Sequence, residues 1–197
     1  GLFGQPADYA AIRAFADAEG LWVMDDAAQS FGASLNNVRV GQLADITCTS
    51  FFPAKPLGCY GDGGAVFVDD HEKAEIMRSC RVHGMGATRY ENIRIGMTAR
   101  LDTIQAAILD AKMDIFDDEL DQRQQAADRY ADYLADLVET PGLAAGATSS
   151  WAQYTVKLPA GSNRDAVMAH LKDQGVPSAI YYPVPMHQQP PYQRFPV

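Results

Sequence analysis

An α/β fold built on a mostly parallel sheet, with a smaller α+β unit after it, is what this chain of 197 residues predicts. Three observations carry the expectation: short apolar runs follow stretches of helical spacing, the runs end in polar residues, and the pattern changes in kind after Pro141-Gly142. Residues 6–19 place Tyr9, Ile12, Phe15 and Ala16 at helical spacing, and Gly20 stops them. The run Leu21-Trp22-Val23-Met24 then ends in Asp25-Asp26, as a buried strand does when its C-terminal end carries polar groups. Residues 46–52 and 65–68 repeat that pattern, and residues 71–82 are a predicted helix. From Asp102 the spacing turns helical for a long distance. Ile104, Ile108, Leu109, Met113 and Phe116 mark an apolar face, and an acidic, amide-rich stretch leads on to Tyr130, Tyr133, Leu134 and Leu137. Beyond the break, residues 153–158 and 178–182 are predicted strands, flanking a helix opened by Ser162 with Asp165 three residues on. The expected partition is residues 1–125 for a large domain and 126–197 for a small one.

Composition narrows the function classes. With 47% hydrophobic and 21% charged residues the chain is of ordinary globular make-up, which excludes disorder and collagen-like character. A formal net charge of −9 lacks the footprint of a duplex-binding protein, so no nucleic-acid partner is expected. No apolar run approaches the ~20 residues that cross a bilayer, and the expectation is a soluble, cytoplasmic protein with no membrane partner. Cys48, Cys59 and Cys80 are odd in number and lack C-x-x-C spacing, so reduced thiols are expected, and no H-E-x-x-H pair points to a metal. The opening at Gly1 and the end at Val197 read as a piece of a longer polypeptide.

The most informative segment is Ser50-Phe51-Phe52-Pro53-Ala54-Lys55-Pro56-Leu57-Gly58, followed by Gly61-Asp62-Gly63-Gly64. A lysine set between two prolines just past a buried strand is held where its amine occupies a fixed place. A lysine amine made neutral can condense with an aldehyde to an imine, which is the chemistry a pyridoxal phosphate enzyme requires; an exposed loop lysine is the bland alternative. Asp26 ends the first predicted strand. A carboxylate there would keep a pyridine nitrogen protonated and the ring electron-withdrawing, although an Asp at a strand end also serves as a turn or cap residue. Gly61 to Gly64 lacks both the G-K-[ST] ending of a P-loop and the G-x-G-x-x-G spacing of a dinucleotide fold.

Seven segments in order, Leu2-Phe3-Gly4-Gln5-Pro6-Ala7-Asp8, Asp25-Asp26-Ala27-Ala28-Gln29, the Ser50–Gly58 segment, Gly61-Asp62-Gly63-Gly64-Ala65, His83-Gly84, Arg100-Leu101-Asp102-Thr103-Ile104-Gln105-Ala106-Ala107 and Tyr181-Tyr182-Pro183-Val184-Pro185-Met186-His187, resemble the DegT/DnrJ/StrS sugar aminotransferases. The resemblance implies the fold type I architecture of pyridoxal phosphate (PLP) transferases. It implies that Lys55 holds the cofactor as an imine, Asp26 pairs with the ring nitrogen, Gln29 lies near the phenolic oxygen and Ser50 binds the phosphate. It further implies a homodimer in which the segment ending at Arg100 reaches the neighbour's site; Thr98 stands where the family commonly has an Asn that contacts the partner's phosphate. Arg100, Tyr182 and His187 match positions toward the sugar, whereas His83 is explained by its place at a helix C-terminus before Gly84. The implied activity is transfer of an amino group, with glutamate as donor, to a nucleotide-linked keto sugar, a UDP-2-acetamido-3-keto uronic acid within surface polysaccharide biosynthesis. The alternatives are a PLP-dependent sugar dehydratase of the same fold, whose relatives place a histidine where this chain has Lys55, and a non-enzymatic regulatory or assembly protein that retains the fold. Family members extend further at the N-terminus, where additional phosphate contacts lie, so the 197 residues alone are expected to bind the cofactor weakly.

Overall fold

Asp8 opens the first helix, its carboxylate accepting from the Ala11 N–H at 3.0 Å, and α1 (Tyr9–Ala18) follows. The chain then enters β1 (Met24–Asp26), a hairpin of β2 (Ser34–Leu35) and β3 (Val38–Arg39), and the two longer strands β4 (Ile46–Ser50) and β5 (Gly64–Val68). Asp70 caps α2 (His71–Cys80) by accepting from the Lys73 N–H at 3.0 Å. Helices α3 (Thr103–Met113), α4 (Phe116–Leu134) and α5 (Arg164–Asp173) complete the regular elements with short 3-10 turns. Acidic Asp117, Asp118 and Glu119 occupy the first turn of α4, where the helix dipole favours them. The computed structural model describes residues 1–195.

The principal sheet has the order β1-β4-β5. Strands β1 and β4 run parallel with Asp26 beside Cys48, but β5 returns antiparallel to β4, pairing Ser50 with Gly64. The sheet is therefore mixed. Residues 51–63 contain no helix to carry the chain back across the sheet, and without a crossover the next strand can only return antiparallel. The β2/β3 hairpin, too short to show alternation in the sequence, turns on Asn36 and Asn37 with φ of 49° and 64°, a left-handed pair suited to a tight two-residue turn.

Three buried clusters hold the first part of the chain. Phe51, Leu57, Cys59, Leu109 and Phe116 form the largest, flanked by Phe31, Leu101, Ile108 and Leu120. Tyr9, Ala16 and Val23 pack between α1 and β1, and Ala27, Ala33 and Val40 lie beneath the hairpin. Of the apolar stripe on α3, Ile108 packs on the main core and Ile104 faces outward.

By contacts the chain divides into two compact units, Gly1–Val156 and Lys157–Val197, while position 125/126 falls inside α4. In the second unit Asn163, not Ser162, caps α5, accepting from the Ala166 N–H at 3.0 Å. Residues 153–158 and 178–182 are predicted strands, yet they contribute no strand among the described residues; Lys157 makes an isolated bridge, which is too short to count as one. No helix among the described residues is long and apolar enough to cross a membrane.

Candidate active site

Parallel pairing of β1 and β4 sends both C-termini to one edge of the sheet, which is where open α/β sheets take ligands. Asp26 ends β1 there, exposed, with its Oδ1 accepting from the Ala28 N–H at 3.0 Å. That contact orients the carboxylate and turns the backbone out of the strand. Ser50 ends β4 at the same edge, half-buried, and its Oγ accepts from the Phe52 N–H at 3.3 Å. Next comes a tight turn in which the Lys55 N–H donates to the Phe52 carbonyl at 2.9 Å, with Pro53 in the position that favours a preset φ. Lys55 is half-buried in this turn. The fold thus brings Asp26, Ser50 and Lys55 to a single sheet edge.

Gln29 is buried behind them, and its Oε1 accepts from the Phe3 N–H at 2.6 Å. Phe3 carries a positive φ of 63°, so the Leu2–Gly4 turn is shaped around this amide. The Ser150 hydroxyl donates to the Gln29 carbonyl at 2.5 Å and ties the same backbone from the far side.

Burial pushes the Cys48 thiol up, and the carboxylates of Asp26 and Asp25 add to the effect. Behind the edge, burial first and then Asp25 push the Tyr9 phenol well above its ordinary range. The edge therefore carries a carboxylate, a hydroxyl and an amine, a donor set whose chemistry fits a pyridoxal phosphate molecule. No group of His, Cys, Asp and Glu among the described residues is arranged to hold a metal ion.

The other predicted residues belong to other elements. Thr98 forms a bridge with Val82, and its hydroxyl meets the His83 ring at 3.3 Å. Arg100 is exposed two positions on. His83 follows α2 with a φ of 61°, and the Gly84 N–H closes onto the Ser79 carbonyl at 2.9 Å, in keeping with a local role. Tyr182 and His187 belong to the second unit. Tyr182 is exposed and sits edge-on to Tyr181 with ring centroids 5.7 Å apart, and His187 is exposed in the Met186–Gln188 turn.

Sequence reasoning missed two residues that touch the Lys55 loop. Gln105 accepts from the Tyr60 N–H at 2.8 Å, and Lys112 donates to the Gly58 carbonyl at 2.6 Å. Their i, i+7 spacing was the available signal, since it puts both on one face of α3.

An α/β protein with a carboxylate, a hydroxyl and a braced lysine at the carboxyl ends of parallel strands is of the class that carries a small cofactor at that edge. The chain belongs to the DegT/DnrJ/EryC1/StrS aminotransferase family, whose model matches residues 1–196. Its fold is that of the fold type I PLP-dependent aminotransferases. It is 48% identical over 190 residues to UDP-2-acetamido-2-deoxy-3-oxo-D-glucuronate aminotransferase of Pseudomonas aeruginosa, covering 96% of this chain and 52% of that protein. A DegT DnrJ EryC1 StrS aminotransferase from Brucella abortus superposes with a TM-score of 0.94 at 49% identity, covering 98% of this chain and 51% of that one. A Bacillus subtilis structure, ntda with bound cofactor PMP, superposes with a TM-score of 0.82 at 29% identity, covering 98% of this chain and 45% of that one. The chain spans about half the length of the curated relatives it matches.

Proposed function

We propose that this chain is part of a PLP-dependent aminotransferase that moves an amino group from glutamate to a UDP-linked 2-acetamido-3-keto uronic acid, within surface polysaccharide biosynthesis. The observation that carries the reading is the common edge formed by the parallel ends of β1 and β4, with Asp26, Ser50 and Lys55 on it. The substrate is supported by the name of the Pseudomonas aeruginosa relative, a 3-oxo-glucuronate aminotransferase at 48% identity.

When bound, the cofactor would supply an aldehyde that takes up the amino group and a ring that withdraws electrons from the adjacent carbon. In this reading Lys55 would hold it through its amine and, as a free amine, would serve as the base that moves a proton. Asp26 holds a proton at the ring nitrogen. Ser50 donates its hydroxyl to the phosphate, and Gln29 flanks the phenolic oxygen. Thr98 contributes to the phosphate site of the second protomer in a homodimer, and Arg100, Tyr182 and His187 face the sugar, as the family resemblance implies. The large domain takes residues 1–125 and the small domain residues 126–197, and the protein acts in the cytoplasm.

Borohydride reduction of the holoprotein followed by peptide mapping tests the assignment. The pyridoxyl label is expected on the peptide that contains Lys55, and the protein is expected to convert glutamate and the keto sugar to 2-oxoglutarate and the amino sugar. Lys55→Ala should lower that rate by about a thousandfold or more, the scale expected when a proton-transfer group and the covalent tether are lost together. A holoprotein that carries no label on this peptide would overturn the reading.

A further inference from the structure

We propose that Gln105 and Lys112 on α3 are positioning residues that fix the geometry of the loop bearing Lys55, a role that rests on the function proposed above. Residues 51–63 leave the sheet at Ser50 and rejoin it at Gly64. The loop closes on itself at its base. The Phe51 N–H donates to the Gly63 carbonyl at 2.8 Å, and the Cys59 N–H donates to the Phe51 carbonyl at 2.8 Å. The Cys59 thiol, also within the loop, reaches the Phe51 carbonyl at 3.0 Å and the Gly61 carbonyl at 3.2 Å.

The two backbone groups that flank Cys59 are met from α3 instead. Lys112 Nζ donates to the Gly58 carbonyl at 2.6 Å and lies 5.1 Å from the centre of the Tyr60 ring. Gln105 Oε1 accepts from the Tyr60 N–H at 2.8 Å. A Cβ at Gly61 would stand 3.1 Å from Gln105 Nε2, so the glycine leaves the amide room to reach the backbone. An ammonium on a backbone carbonyl makes a charge-assisted hydrogen bond, stronger than a neutral one, and the ring beside it adds a cation–π contact. Lysine ordinarily keeps its head group in water; here it is half-buried and bonded to the loop.

The consequence concerns the amine of Lys55. It must meet an aldehyde whose ring is set by Asp26 on a different strand, and a misplacement of about 1 Å costs roughly a hundredfold in such steps. Prolines 53 and 56 stiffen the turn from within, while α3 fixes where the stiffened turn sits. Gln105 and Lys112 act through the loop and touch neither substrate nor cofactor.

The test uses the protein at its natural length. Apoprotein is mixed with PLP, and two quantities are followed: the rate at which borohydride-trappable label accumulates on the Lys55 peptide, and the visible circular dichroism per bound chromophore, which reports how rigidly it is held. Lys112→Met is expected to slow labelling about tenfold, the scale of one charge-assisted hydrogen bond, and to halve the visible dichroism with far-ultraviolet dichroism unchanged. Lys112→Arg, which retains a cationic donor, should recover the rate to within about threefold. Gln105→Leu should move both readouts in the same direction and decides the matter if Lys112→Met does not fold. Wild-type labelling retained equally in Lys112→Met and Gln105→Leu overturns the clamp and leaves the proposed function standing, as does a loss in Lys112→Arg as deep as in Lys112→Met. A wild-type protein without label on Lys55 overturns the proposed function, and this role with it.

Discussion

Replacing Gly58 by alanine should destabilise the protein and disturb the Lys55 turn together. An added Cβ at this position would stand 2.7 Å from the Pro53 carbonyl oxygen, 2.8 Å from that of Phe52 and 2.9 Å from the Pro53 carbonyl carbon. All three atoms are backbone, so no flexible side chain can move aside. Ordinary contact begins at 3.4 Å, and the two strands of the loop must separate by several tenths of an ångström to reach it. Separation is resisted on both sides. The Phe52 carbonyl is held by the Lys55 N–H at 2.9 Å, and the Gly58 carbonyl by Lys112 at 2.6 Å. Overpacking of this kind costs about 1–3 kcal/mol, offset by about 0.4–1 kcal/mol because alanine restricts the unfolded chain more than glycine does. The expected net loss is about 1–2 kcal/mol, read as a lower urea midpoint at unchanged slope in the apoprotein, accompanied by slower pyridoxyl labelling of Lys55. A loss below about 0.5 kcal/mol, the range of ordinary surface substitutions, would refute the reasoning by showing that the turn yields without strain.

Two further expectations follow from the packing and the charges. Leu109→Ala removes a side chain that is 7% exposed among Phe51, Leu57, Cys59 and Phe116, and should cost about 2–5 kcal/mol by urea unfolding; a cost under about 1 kcal/mol would mean that the cluster collapses into the space. Asp45 is held below the usual carboxylate range first by Arg13, whose Nη1 meets its oxygens at 2.9 and 3.0 Å, and then by the Val23 N–H. A depressed folded pKa contributes stability that is present above the unfolded value, about 3.9, and is lost as pH falls through the folded value. The melting temperatures of wild type and Asp45→Asn should therefore differ near neutral pH and converge on acidification below about pH 4; a difference that stays constant with pH would contradict the assignment.

Much of this fold was legible because local chemistry and tertiary packing agree. The spacing of Tyr9 and Ala16 marked α1, and both side chains are buried against Val23. The polar ends of the apolar runs marked Asp26 and Ser50, and parallel pairing brings those ends to one edge. The elements that the sequence does not announce are either too short to show a period or depend on partners distant in sequence. Asn36-Asn37 passed as a polar connector because neither flanking segment is long enough to show alternation, and the hairpin rests on only two residue pairs. Residues 178–182 have the composition of a strand, but composition cannot supply the neighbour that would make it one. Gln105 and Lys112 look like solvated polar residues on an amphipathic helix. Only the path of the Lys55 loop, set by contacts from Phe51 to Gly63, shows that they face backbone rather than water.

The direction of β5 bears on the chemistry proposed for the site. In a parallel arrangement, the chain leaving β4 at Ser50 would have to cross to the opposite end of the sheet before the next strand began, and Lys55 would lie on an outbound connection anchored at one end only. Antiparallel pairing of Ser50 with Gly64 instead starts and finishes residues 51–63 at the same edge, the one that also holds Asp26. The loop is thereby anchored at both ends by the β4/β5 ladder, and its span is short enough that closing it costs little entropy beyond what the two strands already impose. The role proposed for Lys55 requires its amine to reach one fixed point, and an excursion anchored at both ends suits that role. Anchoring at both ends resists displacement of the backbone that carries Lys55, and backbone placement sets where its amine can reach. The reversal of β5 and the contacts from α3 therefore act on the same loop, the first holding its two ends and the second its Gly58 and Tyr60 backbone.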